Sequence, residues 1–267
     1  MQQLCKPILF FLILFTTVAC DKTGSRPPAP GPARLVEAIE NNSTLQRLVY
    51  DEEGQLAHVQ QLDKLSNLLL VHEYDHGTAQ QVRQVRIGTV IYQVEERLPG
   101  IVAITTSYQG GEQLFYDELF YEGGKLMQHI NYSYQGNQRR EENKYVYSYD
   151  PDGNLARIHL LTHWEDEWKP YGRIEFGPYA DQPNHLSAFD LLHPDLNFQL
   201  PLILDWNGST FRNEPLEMRT YSAAGDLLQR HVFEYEHDNN RRTQRRETIY
   251  FQNNPISRDT LHYSYKD

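Results

Sequence analysis

The stretch Tyr149-Asp150-Pro151-Asp152-Gly153-Asn154-Leu155 has the features of a tight chain reversal between two β-strands. Asp150 can accept hydrogen bonds from backbone N–H groups further along the chain. Pro151 suits the second turn position, where a φ of about −65° is required. Gly153 can adopt a positive φ and close a type I turn with a β-bulge. These residues predict a hairpin whose flanking aromatic and leucine side chains pack on one face of a sheet.

Three other stretches repeat the pattern of an aromatic residue, a glycine four positions later and a leucine two positions after that. They are Tyr50-Asp51-Glu52-Glu53-Gly54-Gln55-Leu56, Phe120-Tyr121-Glu122-Gly123-Gly124-Lys125-Leu126 and Tyr221-Ser222-Ala223-Ala224-Gly225-Asp226-Leu227. A weaker copy is Tyr74-Asp75-His76-Gly77. The predicted structural turn residues are Gly54, Gly124, Gly153 and Gly225. Several copies at irregular spacing predict an antiparallel meander.

The segments between these turns are rich in β-branched and aromatic residues, and many alternate apolar with polar positions, as half-buried strands do. They are residues 82–92, 101–108, 144–149, 232–235, 247–251 and 260–265. The 18 tyrosines suit a sheet, because the ring can cover its neighbours while the hydroxyl stays in water. The predicted fold class is all-β: a single antiparallel meander of repeated hairpins that forms a curled or barrel-like sheet, with minor helical turns.

Two regions depart from the hairpin pattern. Residues 34–48 could begin with a short helix, and residues 177–213 form a long, proline-marked segment in which residues 186–192 could form a helical turn. A long irregular insertion in a compact domain either carries a function or covers the end of a sheet. The second region is therefore a natural place to seek a binding surface.

The N-terminal residues have the features of a targeting segment. A single lysine precedes an eight-residue apolar run at residues 8–15, and Thr17-Val18-Ala19 leads directly to Cys20. This arrangement predicts a lipoprotein signal peptide over residues 1–19, with Cys20 as the lipidation site. Residues 20–34 then form the lipidated cysteine and a flexible Pro-rich tether, and residues 35–267 form the β-meander domain. An ordinary signal peptide with an incidental cysteine is the alternative.

Cysteine usage and net charge exclude several classes of function. The only other cysteine, Cys5, lies in the predicted signal peptide, so the mature chain would have no thiol for a disulfide, a zinc–thiolate site or a nucleophile. The net charge of −11 makes nucleic-acid binding unfavourable. The one basic cluster is Arg241, Arg242, Arg245 and Arg246, for which a solvated hairpin end is the simplest interpretation.

The Tyr-Asp-x-x-Gly-x-Leu hairpins resemble the YD repeats of the Rhs family. The mature chain more closely resembles uncharacterised Bacteroidetes lipoproteins with a porin-like antiparallel meander fold, a domain of unknown function. Those proteins pair such hairpins with a tyrosine-containing segment, matched here by Tyr179-Ala180-Asp181-Gln182-Pro183-Asn184. The resemblance covers roughly residues 45–265 and implies a curled or barrel-like sheet, but no activity.

A membrane-spanning porin is nevertheless a poor interpretation of this sequence. Membrane barrels need long strands with an uninterrupted apolar band that faces lipid. The predicted strands are short, and Arg, Glu and Gln recur along them. A lipid anchor would also be superfluous in a protein that already spans the bilayer.

Two motifs resemble metal-binding motifs, but the residues around them do not support a metal site. His72-Glu73-Tyr74-Asp75-His76 formally matches the zincin motif, which needs a helix. In a strand, His72 and His76 would be about 13 Å apart and could not share a metal. Asp150-Pro151-Asp152-Gly153-Asn154 looks like part of a calcium loop but lacks the acidic residue at the EF-hand spacing. We therefore expect no metal and no cofactor.

The stretch Trp164-Glu165-Asp166-Glu167-Trp168 is a possible ligand-binding site, because aromatic rings stack on sugars and carboxylates bind hydroxyl groups. On one strand face, Glu165 and Glu167 would be about 7 Å apart, within the spacing that glycosidases use. The plainer alternative is an exposed strand end with its tryptophans packed on the sheet. No nucleophile elbow, P-loop or dinucleotide fingerprint occurs in the chain.

The sequence does not specify a reaction. The leading hypothesis is an envelope-anchored lipoprotein that acts as a non-catalytic binding or interaction module, with a glycan or an envelope protein as its partner. A glycan-directed hydrolase with strand-borne carboxylates is the alternative, and a structural spacer is a third. We expect a location in the cell envelope, at the outer membrane or cell surface rather than the inner membrane, with contact to the membrane through the lipid.

Overall fold

Sixteen antiparallel strands close into one barrel in the structure, which is a computed structural model. It describes residues 36–76, 82–136, 138–184, 212–239 and 241–265. The predicted signal peptide, the tether with Cys20 and the helical turn at residues 186–192 lie outside these ranges. No helix in the described part of the chain is long and apolar enough to cross a membrane. The all-β prediction is confirmed.

The barrel strands follow one another almost in chain order, as a meander requires. The strands are β1 Val36–Glu40, β2 Thr44–Tyr50, β3 Leu56–Asp63, β4 Leu68–His76, β5 Val82–Ile87, β6 Val90–Leu98, β7 Ile101–Tyr108, β8 Gln113–Glu122, β9 Lys125–Gln135, β10 Gln138–Tyr149, β11 Leu155–Trp164, β12 Glu167–Phe176, β15 Glu217–Ser222, β16 Leu227–Asp238, β17 Arg241–Phe251 and β18 Asn254–Tyr265. Two further strands, β13 Tyr179–Pro183 and β14 Asn213–Pro215, form a separate small sheet. The barrel closes because β1 pairs with both β18 and β2.

The repeated glycine motif marks hairpin turns, as predicted. Gly54, Gly153 and Gly225 have φ values of 80°, 91° and 93°. At each turn the glycine N–H donates to the residue three positions earlier, and the residue after the glycine pairs back to the start of the turn. Gly124, with φ 78°, differs: together with Gly123 it forms a two-residue turn closed by Glu122 and Lys125.

The expected helix within residues 34–48 is wrong. Its described part forms β1 and β2, joined by a turn in which the Asn41 carboxamide accepts hydrogen bonds from the backbone N–H groups of Ser43 and Thr44. β1 completes the barrel by pairing on both of its edges, and this long-range pairing overrides the helical tendency of a five-residue segment.

The larger of two apolar clusters in the described residues lines the inside of the barrel, and a smaller one joins Val36, Ile39 and Tyr263 where β1 meets β18. The larger cluster joins buried residues from β6 through β16, among them Leu119, Tyr147, Ile158 and Phe233. Residues one position away from these point outward, because successive side chains alternate across a strand. Outward positions carry ion pairs between neighbouring strands, for example Arg157 with Glu175. The outside of the wall is thus charged, whereas its inside is apolar apart from the buried polar groups described below.

The barrel has two distinct ends, which the strand directions define. The near end is where β1 begins and β18 finishes, at the pair Val36 and Tyr265. It also carries the turns at residues 51–55, 123–124 and 150–154. The far end carries the turns at residues 41–43, 64–67, 88–89, 109–112, 165–166, 223–226 and 252–253, together with Gly136 between β9 and β10. The insertion with β13 and β14 leaves from the near end, between β12 and β15.

Candidate binding surface at the far end of the barrel

Exposed large apolar side chains concentrate at the far end. Ten of the thirteen in the described residues lie within or next to its turns: Leu65, Leu68, Leu69, Tyr108, Phe115, Trp164, Leu227, Leu228, Phe251 and Ile256. We call this set the apolar rim. Leu65 is the most exposed, at 83%. These side chains come from five hairpins at the same end of the barrel, and an accumulation of exposed apolar side chains is typical of interaction sites.

The near end is covered over part of its area by the small β13–β14 sheet. The N–H of Asn213 donates to the side chain of buried Asn154 at 2.8 Å, and the guanidinium of Arg212 donates to the carbonyl of Asp152 at 2.8 Å. The hydroxyl of Tyr179 donates to the carbonyl of Leu155. These contacts attach the described part of the insertion to the β10–β11 turn, which is in line with the second of the two roles expected of it, a cover for the end of a sheet.

The basic cluster is not a solvated hairpin end, because Arg242 and Arg245 are buried. Against β16, the register shifts so that Arg242 faces His237 and Gln244 faces Glu236, which leaves Thr243 as a bulge. The bulge lets residues three positions apart both point inward. Arg242 donates to the Glu214 carboxylate at 2.8 Å, and burial lowers the pKa of Arg242 to about 10.

Glu214 is the counter-charge that sequence reasoning missed. It lies on β14, is buried, and accepts from Arg242 and at 3.1 Å from His237. Burial raises the pKa of this carboxyl. The short segment around it, Asn213–Pro215, carries no signal that would distinguish a buried glutamate from a surface one.

The predicted site on the β11–β12 hairpin has a different geometry from the one expected. Glu165 and Asp166 form the two-residue turn itself, with φ values of 53° and 61°. Trp164 pairs with Glu167, and His163 pairs with Trp168. Glu165 therefore lies in the turn and does not share a strand face with Glu167, which is the arrangement that the hydrolase hypothesis assumed.

The two tryptophans lie on opposite faces of this hairpin, because His163 pairs with Trp168 while its neighbour Trp164 pairs with Glu167. Trp164 is 58% exposed. The Trp168 ring packs on His163 with 5.0 Å between ring centroids, and the Lys144 ammonium lies 5.8 Å from the Trp168 ring. The two rings cannot stack on both faces of one sugar.

A groove of about 460 Å³ lies beside this hairpin, within the range of ligand sites. One wall is formed by Gln138, Arg139, Arg140 and Glu141 of β10, and the other by His163, Glu165 and Asp166. Glu141 and His163 approach to 3.5 Å between the walls. Of the four residues predicted from sequence, only Glu165 lines the groove.

The two metal motifs have structural roles. His72 and His76 both lie on strand β4, where His72 is buried and His76 contacts the carbonyl of Leu56 at 2.8 Å. Asp150 accepts hydrogen bonds from the backbone N–H and the side chain of Asn154. Among the described residues, no group of three or more His, Cys, Asp or Glu side chains could hold a metal ion.

A polar cluster lies inside the barrel. The Asp117 carboxylate is fully buried and interacts through one oxygen with His129 at 2.7 Å and Asn131 at 2.9 Å. The ring of Tyr145 stacks on His129 with 4.9 Å between centroids. Burial and the nearby Asp117 charge raise the pKa of Tyr145. The hydrogen bonds join the neighbouring strands β8 and β9 on the inner face of the wall.

The sequence matches no protein-family model and no curated protein. Solved structures do resemble the fold. A porin-like protein from Bacteroides uniformis aligns with a TM-score of 0.61 at 11% identity, covering 88% of this chain and 98% of that one. A porin-like protein from Bacteroides vulgatus aligns with a TM-score of 0.54 at 14% identity, covering 86% and 98%. This chain therefore shares the barrel fold of porin-like proteins from Bacteroides.

Sequence reasoning missed the apolar rim, although a signal exists. Leu68-Leu69 and Leu227-Leu228 place two apolar residues in succession directly after polar turns. Alternation would bury one residue of each pair and expose the other. Adjacent leucines at a strand end therefore indicate an apolar side chain in solvent.

Proposed function

We propose that this protein is an envelope lipoprotein, anchored through Cys20, whose barrel is a non-catalytic binding module for another envelope protein. The observation that carries the proposal is the apolar rim. The rim lies at the end of the barrel opposite to the pair Val36 and Tyr265, where β1 begins. The porin-like fold of the Bacteroides structures is consistent with a place in the cell envelope.

The outward face of the wall supports attachment to a membrane rather than insertion into it. Arg86 pairs with Glu73, Arg219 with Glu217 at 2.6 Å, and Arg246 with Glu234 at 3.1 Å. These pairs lie at outward positions of the strands in widely separated parts of the wall. If lipid surrounded the wall at the level of these ion pairs, their charges would be buried in hydrocarbon, which membrane barrels avoid.

A protein partner fits the far end better than a glycan. The rim extends over several hairpins and combines aliphatic with aromatic side chains, as the cores of protein interfaces do. A glycan site at Trp164 and Trp168 would need both rings to reach one ligand, but they lie on opposite faces of the hairpin. A glycan partner remains the alternative outcome of the tests below.

Photo-crosslinking in the producing cell tests the proposed binding end. A photoreactive phenylalanine analogue replaces Leu68, Phe115 or Phe251 at the rim, and the matched controls carry it at Leu98 or Val49, which are exposed near the other end. We expect one discrete adduct from the rim positions that is absent from the controls. No adduct at the rim, or equal yields at Leu98, would contradict the proposal.

Glycan-array binding by the purified protein separates the two classes of partner. Binding that is lost in both Trp164→Ala and Trp168→Ala would replace the protein partner by a glycan. The anchor is tested separately: we expect Cys20→Ser to move the protein from the membrane fraction to the soluble fraction. A variant that stays in the membrane would overturn the lipoprotein assignment.

A further inference from the structure

The two hairpins that border the groove separate before they reach their tips. The β9–β10 ladder continues to the pair Gln135 and Gln138, and the β11–β12 ladder continues to Trp164 and Glu167. The ladder between β10 and β11, however, ends at Asn143 and Thr162. Residues 138–141 of β10 therefore have a paired edge towards β9 and no β11 ladder partner on the edge towards the groove.

Two bulges account for this separation. On β10, Glu142 is an extra residue between the pairs that Glu141 and Asn143 make with β9. On β12, Tyr171 is an extra residue between the pairs that Pro170 and Gly172 make with β11. A bulge bends its strand and increases the local twist, and bulges often re-aim the chain near binding sites. Here they turn the tips of neighbouring hairpins apart.

The unpaired edge offers hydrogen-bonding groups to a ligand. Gln138 and Gln135 close a two-residue hairpin, so they exchange both hydrogen bonds with each other. The backbone N–H and C=O of the next residue, Arg139, then point away from β9 and into the groove. An exposed edge of this kind is a template for one more strand.

The groove walls carry opposite charges. Arg139 and Arg140 lie on the β10 wall, and Glu165 and Asp166 lie on the opposite wall. Arg139 is already held, since its guanidinium lies 4.3 Å from the Tyr116 ring centroid. Within the described ranges, Arg140 and Asp166 form no ion pair. An extended peptide with acidic and basic side chains would complement both walls.

We propose that the far-end groove binds an extended segment of the protein partner as an added β-strand, antiparallel to residues 138–141 of β10. This inference rests on the proposed function and specifies how the partner is recognised. The backbone of the partner pairs with the edge that begins at Arg139. Its side chains place an acid near Arg140 and a base near Asp166.

The test uses full-length protein in detergent and a phage-displayed library of random linear dodecapeptides. A peptide selected on the wild type is then measured against Arg139→Pro and Arg139→Ala. Proline removes the N–H that points into the groove. It is tolerated at a strand position whose N–H makes no hydrogen bond within the sheet. Alanine removes the same side chain but keeps the N–H. We expect about tenfold weaker binding for Arg139→Pro and less than about threefold for Arg139→Ala.

A second measurement does not depend on the variant folding. The selected peptide is synthesised with N-methyl groups on alternate residues, in two complementary sets. Strand addition predicts that one set abolishes binding and the other leaves it intact, because alternate residues face the edge. Equal binding by both sets, or by both Arg139 variants, would overturn strand addition. If rim crosslinks form nonetheless, the proposed binding end stands; if they too are absent, both proposals fail.

Discussion

Individual turn residues hold this barrel together at its hairpins. Three turns use the same arrangement, in which an Asp51, Asp150 or Ser222 side chain accepts the N–H of the residue after the glycine. The distances are 2.7, 2.8 and 3.1 Å. The glycine supplies a conformation that a side chain with a Cβ rarely adopts.

Gly225→Ala should lower the free energy of unfolding by about 1 kcal/mol, because alanine resists a positive φ. The φ of Gly225 is 93°, and a Cβ added there would meet its nearest neighbour only at 3.9 Å, so the cost comes from the backbone. Gly225→Asn is the control and should cost less, since asparagine tolerates this region better. Urea unfolding measures both, and equal costs would contradict this explanation.

Asp117→Ala should destabilise the barrel by about 3 kcal/mol, because it leaves His129 and Asn131 buried without their shared acceptor. Asp117→Asn retains an acceptor oxygen and should cost less. Chemical unfolding followed by tryptophan fluorescence gives both values. A loss below about 1 kcal/mol for the alanine variant would show that the interior polar cluster contributes little.

Among the elements, the small β13–β14 sheet has the most specific attachment. It touches the β10–β11 turn through Asn213 and the β16–β17 hairpin through Glu214. The second attachment is an ion pair out of water, and breaking such a pair by removing one partner is costly. The insertion is thereby fixed to two hairpins that are not neighbours in the wall.

Glu214→Ala should lower the melting temperature and cost about 3 kcal/mol, since it leaves the buried Arg242 charge without its carboxylate. Glu234→Ala is the matched control. It removes an exposed partner of Arg246 on the β16–β17 hairpin, which also carries Arg242, and should cost less than about 0.5 kcal/mol. Differential scanning calorimetry compares them, and similar losses would contradict the role of burial.

At the scale of the whole molecule, the burial of tyrosines makes the free energy of unfolding depend on pH in the alkaline range. Burial raises the pKa of both Tyr50 and Tyr149 to about 12. It also raises the pKa of Tyr147, whose side chain is fully buried within the apolar cluster. The unfolded chain would ionise these phenols near pH 10. Deprotonation therefore favours the unfolded state more than the folded one.

The stability of the barrel should be unaffected by these tyrosines below about pH 10 and fall as the pH rises from about 10 to 12. Absorbance at the phenolate band should show that only part of the 18 tyrosines ionises in the folded protein near pH 10.5, and that all titrate together in denaturant. Complete ionisation in the folded state would contradict the burial described here.

Local patterns were enough to predict the hairpins and the all-β class. The Asp150 and Gly153 turn depends on contacts within seven residues, and strand alternation depends on positions two apart, so both can be read without knowing the fold. The antiparallel meander followed from these repeats, whereas the porin-like fold was implied only by the family resemblance. The helix predicted within residues 34–48 was wrong, because β1 is held as a strand by its pairing with β18 at the other end of the chain.

Long-range contacts determined the rest. Arg242 is buried because a bulge turns it inward and Glu214, 28 residues away, meets its charge. The separation of the two tryptophans follows from the tightness of a turn that holds only Glu165 and Asp166. The groove exists because bulges on two different hairpins end a shared ladder early. Each of these features depends on how distant segments pair, and pairing across a barrel is decided by the packing of the whole wall.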